Sequence, residues 1–372
     1  MINTPSSMLL IGVGTAGSRI ARGVSRAFGE GLRYLAVDTD ASSGLDEENF
    51  LLIGGNRLSG RGAGGDVVAA RLAAEDSVQS LDSRLEGVRL AVIATCLGGG
   101  TGGGATLEAL RRLSSLGIPA IVFATTPFMF EGQDRQRNAR GVMSMIEDAA
   151  SATFFLPLDK LVAGEDNMES AMRRAIDTVA GGITLFWRLI EKPGYIKLDA
   201  DRLRHLLSSA GRGRFSVVST QGTNRASEAV EKLVESELLA TASAPARAIL
   251  CGVLAGEDLR LSELGIVADG VRNAFGDHAS FALGTVNDEA TFCGRLAVVV
   301  MVFESKSVDP EDQPEPGAPN GGRRRRRSAK GGSSLGVGPS GRGRFNNAEP
   351  TIWHGEDLDI PTFIRHGINL DF

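Results

Sequence analysis

The chain has 372 residues, 42% of them hydrophobic, with a formal net charge of −5 and a pI of about 5.6. That length suits about two domains and a tail, and the acidic balance excludes the overall basic field that gathers nucleic acid. Three widely spaced cysteines (Cys96, Cys251, Cys293) in or beside apolar runs point to a reducing compartment, four scattered histidines exclude a zinc cluster, and no apolar run approaches the roughly 20 residues of a membrane span.

Residues 8–11 predict a short buried strand that ends in Gly12-Val13-Gly14-Thr15-Ala16-Gly17, with an amphipathic helix over 18–28. The N-terminus lacks a charged leader and reads as part of a cytoplasmic protein. A second strand over 32–37 stops at Asp38-Thr39-Asp40, and a polar helix follows the loop 60–66. Residues 90–96 form a fully apolar strand, and Gly98-Gly99-Gly100-Thr101-Gly102-Gly103-Gly104 follows it directly. Helices over 106–116 and 136–149 flank a strand at 118–125. Strands apolar throughout, alternating with helices, indicate a parallel sheet covered on both faces.

A long helical stretch over 165–189 is broken by Lys192-Pro193-Gly194. Beyond it, strands at 215–220, 248–254, 281–286 and 295–303, with helices over 225–239 and 261–275, predict a second α/β unit with its own core. Residues 305–350 are rich in Pro, Gly, Ser and Arg and nearly free of large apolar side chains, the composition of a disordered linker.

Two glycine motifs carry the chemistry. The first, Gly12, Gly14 and Gly17 with Asp38 further on, fits a dinucleotide-binding turn as well as any other phosphate loop. On those residues alone an NAD-dependent oxidoreductase stays open, as does a tight turn without ligand. The second motif has six glycines and one threonine in seven residues. So flexible a run is entropically costly, and its N–H groups make an anion nest to which Thr101 can add a hydroxyl. No P-loop lysine accompanies it, so phosphate binding rests on backbone amides, with a metal ion as an optional companion.

The glycine run resembles the signature loop of the tubulin/FtsZ GTPase family. Around it, Gly12 to Gly17 and Val37-Asp38-Thr39-Asp40-Ala41 resemble that family's first two nucleotide loops. Gly60 to Gly65 resemble the loop near the terminal phosphate, and Pro127-Phe128-Met129-Phe130-Glu131-Gly132 with Arg135 the ribose segment. Lys192-Pro193-Gly194-Tyr195-Ile196 resembles the end of the central helix. The resemblance implies a parallel-sheet GTP-binding domain (1–164), a central helix (165–192), a smaller α/β domain (193–304), a basic linker (305–350) and an adaptor-binding C-terminal peptide (351–372).

It further implies a cytoplasmic, filament-forming GTPase of the division site that binds GTP or GDP with Mg2+. Its copies would stack head to tail and complete each other's hydrolytic sites. Carried over by position, Gly14, Thr15, Ala16, Gly17 and Ser18, with Gly98, Gly99, Gly100, Thr101 and Gly102, would hold phosphates. Glu131 and Arg135 would contact ribose and phosphate, Asp177 the guanine edge, and Asp199 with Asp201 would activate water for the neighbouring subunit. The chain departs from the pattern at Arg19, Met172 and Ile176 around the base, and at Lys197 and Arg202 around Asp199. Those last two leave open a polymer that hydrolyses weakly or not at all.

In the tail, Arg323 through Arg327 form a run of five arginines, readable as a solvated spacer or as a contact for an anionic surface. The segment Asp357 to Arg365 resembles the family's C-terminal peptide. Asp359 is a natural N-cap, Pro361 suits the first turn, and Ile360, Phe363 and Ile364 share one helical face, a pattern for docking division adaptors or membrane anchors.

Overall fold

The computed structural model describes residues 7–44, 48–162, 167–192, 194–198, 203, 206–207, 210–240, 245–276, 278–305, 352–353 and 356–357. Two compact units divide the chain, Met1–Asp312 and Gln313–Phe372. In the second, Ile352–Trp353 pairs antiparallel with Glu356–Asp357. The linker and most of the C-terminal peptide, including Arg323 through Arg327, lie outside the described residues.

The first unit is organised by one ten-stranded sheet. Strand β1 (Met8–Val13) leads into helix α1 (Gly14–Phe28), then β2 (Tyr34–Asp38), β3 (Phe50–Leu52) and helices α2 (Gly55–Leu58), α3 (Val67–Asp76) and α4 (Val78–Asp82). Next come β4 (Leu90–Cys96), α5 (Gly100–Ser115), β5 (Ala120–Thr126), α6 (Gln133–Ala149), β6 (Ala152–Pro157) and the long α7 (Met168–Glu191). The remainder is β7 (Ala210–Gln221), α8 (Arg225–Val234), α9 (Glu237–Ala240), β8 (Ala246–Ala255), α10 (Leu261–Phe275), β9 (Ser280–Asn287), α11 (Glu289–Phe292) and β10 (Arg295–Ser305). The strand order is β3-β2-β1-β4-β5-β6-β7-β10-β8-β9. Strands β1 to β6 are parallel, as their unbroken apolar sequences require.

The expected second α/β unit does have a core of its own, around Leu233, Val267, Val298 and Val300. Its other face belongs to the core of the first half, because β6 pairs with β7 at Phe154 and Gly213. An aromatic cluster closes that seam. Phe123 stacks on Phe154 at 5.1 Å and meets Phe215 edge-on at 5.0 Å. Offset and edge-to-face pairs of this kind each add about 1 kcal/mol beyond area burial. Glycine makes room for it: a Cβ on Gly213 would sit 2.6 Å from the Phe154 ring.

The structure corrects three expectations. Strands β3 and β6 are present although the sequence pattern does not predict them. The helix expected over 225–239 breaks at Glu235 and Ser236 into α8 and α9. Helix α5 starts inside the glycine run, at Gly100, and not at 106.

One buried ion cluster ties the outer helices together. Arg225, at the start of α8, donates to both Glu263 oxygens at 2.7 and 3.0 Å and to Asp258 at 2.7 Å. The Arg225 hydrogen bonds hold the Glu263 carboxyl below the usual carboxylate range, against the opposing effect of burial. Glu263 also accepts from the Arg260 amide at 2.9 Å, so one side chain caps α10 and satisfies a buried guanidinium.

Candidate functional site

The chain order reverses where β1 and β4 lie side by side with β2 on the far flank, and Val13 pairs with Thr95. A crevice opens beyond the carboxyl ends of parallel strands at such a switch point. Both strands there run into helices, and the helix starts nearly touch: a Cβ on Gly14 would lie 3.4 Å from the Gly102 nitrogen. Neither α1 nor α5 has a side-chain N-cap or an acid in its first turn. The first-turn N–H groups of two helices therefore converge, each with its positive dipole end, and together they favour an anion. Helix α3 shows the contrast, since Asp66 caps it through Val68 N at 2.8 Å and Ala69 N at 2.9 Å.

The glycine run is not a loop throughout, because four of its glycines lie in α5. Glycine disfavours helix interiors by about 1 kcal/mol relative to Ala, and close packing explains its presence. A Cβ on Gly102 would overlap the Cys96 carbonyl oxygen, and one on Gly104 the Val67 carbonyl oxygen. On Gly100 it would sit 2.6 Å from the Asp66 oxygen. Gly98, with φ of +102°, is hemmed in by Pro127 and Arg135, whereas Gly99 has open space where a Cβ would stand.

Asp38 has a different part from the ribose contact that a dinucleotide fold would give it. It is buried at the end of β2, where Oδ2 accepts from the Thr15 hydroxyl at 2.9 Å and Oδ1 from the Thr39 amide at 2.8 Å. Both oxygens thus fasten the segments that follow β1 and β2 to each other. Next to it, the Thr39 and Thr101 hydroxyls meet at 2.7 Å, and Thr15 reaches Ser43 at 3.1 Å. Loop 60–66 closes over this end through Gly62 N to Thr39 O at 3.1 Å.

A second wall stands beside this crevice. Ala16, Cys96, Thr125, Glu131, Arg135, Met172 and Ile176 line a narrow cavity of about 80 Å³. Glu131 accepts from the Phe128 amide at 2.9 Å and from Arg135 at 2.7 Å, which orients both expected ribose contacts. Burial pushes the Cys96 thiol up to about 11, with Thr125 hydrogen bonding in the opposite sense. Asp177 is not in this wall. It lines a wider concavity of about 620 Å³ on the outer face of α7 with Arg173, Arg174 and Thr178, while Arg19 is exposed on α1.

Helix α7 starts at this wall and carries the chain away from it, its 24 residues spanning about 36 Å at 1.5 Å each. Past its end, residues 194–198 run along the edge of β9. Ile196 N donates to Thr285 Oγ1 and Thr285 N to Ile196 O, both at 2.8 Å. Gly194 fits only because it lacks a Cβ, which would overlap the Thr285 carbonyl. Leu198 is buried. Asp199, Asp201 and Arg202 follow immediately and lie outside the described residues. The sequence pattern does not single out Arg188, which joins this end of α7 to α1 and β9; its one signal is a lone arginine in an apolar helix segment.

Residues 7–164 match the model of the GTPase domain of the Tubulin/FtsZ family, and residues 211–304 match that of the FtsZ family C-terminal domain. The chain is 30% identical over 294 residues to a cell division protein FtsZ of Pseudomonas putida, covering 77% of this chain and 74% of that protein. A cell division protein FtsZ of Buchnera aphidicola is 31% identical over 285 residues, covering 75% and 74%. Among solved structures, an empty FtsZ dimer from M. jannaschii superposes with a TM-score of 0.76 at 23% identity, covering 84% of this chain and 96% of that one. A GTPγS-bound protofilament of CetZ2 from Haloferax volcanii does so at 0.66 and 21%, covering 81% and 93%. Among the described residues no helix is long and apolar enough to cross a membrane.

Proposed function

The chain belongs to the FtsZ family, and on that premise we propose that it is a GTP-dependent, filament-forming protein of cell division that hydrolyses GTP at a site shared by two copies. One observation carries the shared site: residues 194–198, which deliver Asp199, are anchored at the far end of α7 from the crevice where phosphates would bind. The anchor of residues 194–198 and the crevice are separated by the length of α7. A head-to-tail contact between copies brings one chain's Asp199 to another's nucleotide, and such a heterologous contact repeats into a filament.

The uncapped starts of α1 and α5, including Gly14 to Ser18 and Gly98 to Gly102, hold the phosphates through backbone N–H groups, with Thr101 adding its hydroxyl. Glu131 and Arg135 hold the ribose, and Met172 with Ile176 faces the base. Asp177 follows Ile176 on the adjoining face of α7, so it would meet the base only at its outer edge, where a carboxylate accepts from both guanine N–H donors. The oxygen donors Thr15, Thr39, Asp40 and Thr101 suit Mg2+. Hydrogen bonds from Ser42 keep the Asp40 carboxyl below its usual range, in its charged form. Bound with the nucleotide there, the ion would spread the phosphate charge. Asp199 and Asp201 of the neighbouring copy orient the attacking water, so that catalysis is positioning and charge stabilisation. Filament assembly then switches hydrolysis on.

The protein works in the cytoplasm at the division site. Segment Asp357 to Arg365 docks adaptors or membrane anchors, and Arg323 through Arg327 gives salt-sensitive contact with anionic surfaces. A second reading, assembly with weak hydrolysis, rests on Lys197 and Arg202 flanking Asp199. Asp199→Ala decides the primary one. It should lower GTP turnover at least tenfold while leaving GTP binding intact; unchanged turnover would place the water-activating group elsewhere.

A further inference from the structure

Arg188 is one turn from the end of α7, and its side chain is only 10% exposed. A guanidinium so buried needs its donors matched. Its partners come from opposite halves of the molecule. It donates to Asp288 Oδ2 at 2.8 Å and Thr291 Oγ1 at 3.3 Å, the N-cap and a residue of α11 just after β9, and to the Ala27 carbonyl at 3.2 Å, at the end of α1. It also lies over the Phe28 ring at 5.7 Å, beside Lys192 at 5.6 Å.

Each partner leads to one half of the proposed shared site. Helix α1 begins in the phosphate crevice and ends at Ala27 and Phe28. Asp288 follows Asn287, whose Oδ1 accepts from Tyr195 N at 3.3 Å, and Thr285 just before it holds Ile196. Resting on the shared-site reading above, we propose that Arg188 is a positioning residue for hydrolysis. By clamping the end of β9 to the end of α1, it fixes the direction in which residues 194–198 present Asp199 to the neighbouring copy. Its action is confined to the Asp199 end of the subunit, because its α1 contact is at the helix end away from the nucleotide.

That confinement gives the test. Arg188→Met keeps length and packing; Asp288 loses its cation but keeps its bonds from Thr291 N at 3.2 Å and Thr291 Oγ1 at 2.8 Å. The full-length variant should bind GTP normally and lose roughly 10- to 100-fold in kcat, the cost of misplacing a reacting group by about an ångström. Arg188→Lys, able to satisfy only part of the clamp, should fall between. The Arg188→Met protein is then mixed with Gly99→Asp, which places a carboxylate where phosphate would bind and leaves the Asp199 end untouched. A contact is complete when the Arg188→Met copy supplies the nucleotide pocket and the Gly99→Asp copy supplies the Asp199 end. Roughly one contact in four of a random equimolar filament has that pairing. GTP turnover should therefore recover to about a quarter of the unmodified rate. Asp199→Ala mixed with Gly99→Asp is the control. If the control recovers and the Arg188→Met mixture does not, Arg188 acts on its own subunit's nucleotide and the proposal fails. If the control itself fails to recover, the shared-site reading fails. Should Arg188→Met not fold, Asp288→Asn replaces it in the same mixtures, with the same two outcomes.

Discussion

The hydroxyls of Thr39 and Thr101 meet at 2.7 Å and join two loops that are 62 residues apart in sequence. Thr39 is held from below by Asp38, and Thr101 is in the first turn of α5. Thr101→Val should lose both this bond and a donor to phosphate. Hydrogen bonds to charged groups contribute about 1.5–3 kcal/mol, so GTP affinity should fall roughly 10- to 150-fold by titration with a fluorescent analogue. Thr39→Val should cost less, since the phosphate donor remains.

The glycines of the signature run should separate by role. Gly102→Ala forces a Cβ into the Cys96 carbonyl, a backbone atom that cannot swing away. It should destabilise the fold by about 1–3 kcal/mol or more, read as a lower Tm without nucleotide. Gly99→Ala meets nothing within 4 Å. It should leave the Tm of the nucleotide-free protein within a degree or two and instead weaken GTP binding.

Glu263 sets a pH dependence. Its folded carboxyl titrates below the unfolded value because Arg225 stabilises the charged form. Its contribution is fully present above the unfolded carboxylate range and is lost as pH falls through the folded value. Glu263→Gln should therefore be destabilised at pH 7 by roughly 3 kcal/mol, the usual cost of breaking a buried pair. The gap to the unmodified protein should close on acidification, measured by urea denaturation across the pH range. A gap that stayed constant would mean that the carboxylate charge is immaterial.

The cysteines should differ in reactivity. Cys251 is fully buried with its thiol pushed up to about 12, and Cys96 stands at about 11; Cys293, also raised by its hydrogen bond with Glu289, is the exposed one. Only a thiolate attacks readily. Iodoacetamide at pH 8 should label Cys293 first, and mass spectrometry of timed digests reads the order.

Much of this fold is legible in sequence because buried parallel strands are written as unbroken apolar runs. Residues 90–96, predicted as a strand, form β4 without adjustment, and the helix predicted over 261–275 is α10. Strand β3 is three half-exposed residues at the sheet edge, too short for any pattern. Strand β6 is hidden because only Ala150 and Ser151 separate it from α6, with no Gly or Pro to mark the boundary. The start of α5 cannot be read from propensity at all, since the glycines there answer to backbone neighbours in β4 and α3 that are only visible in three dimensions. Asp38 is the same lesson at the site. Its spacing from Gly12 fits a ribose contact, and only its burial under Thr15 shows it fastening loops instead. Asp177 reads as pocket-lining by position, yet the turn of α7 puts it on a different face from Met172 and Ile176.

The central claim is that one copy's nucleotide is cleaved with groups from another. GTP turnover per subunit, followed together with 90° light scattering over a range of protein concentrations, tests it most directly. Turnover per subunit should be near zero at low concentration and rise sharply at the concentration where scattering appears. Turnover per subunit that is independent of concentration, and already present where no polymer scatters, would contradict it.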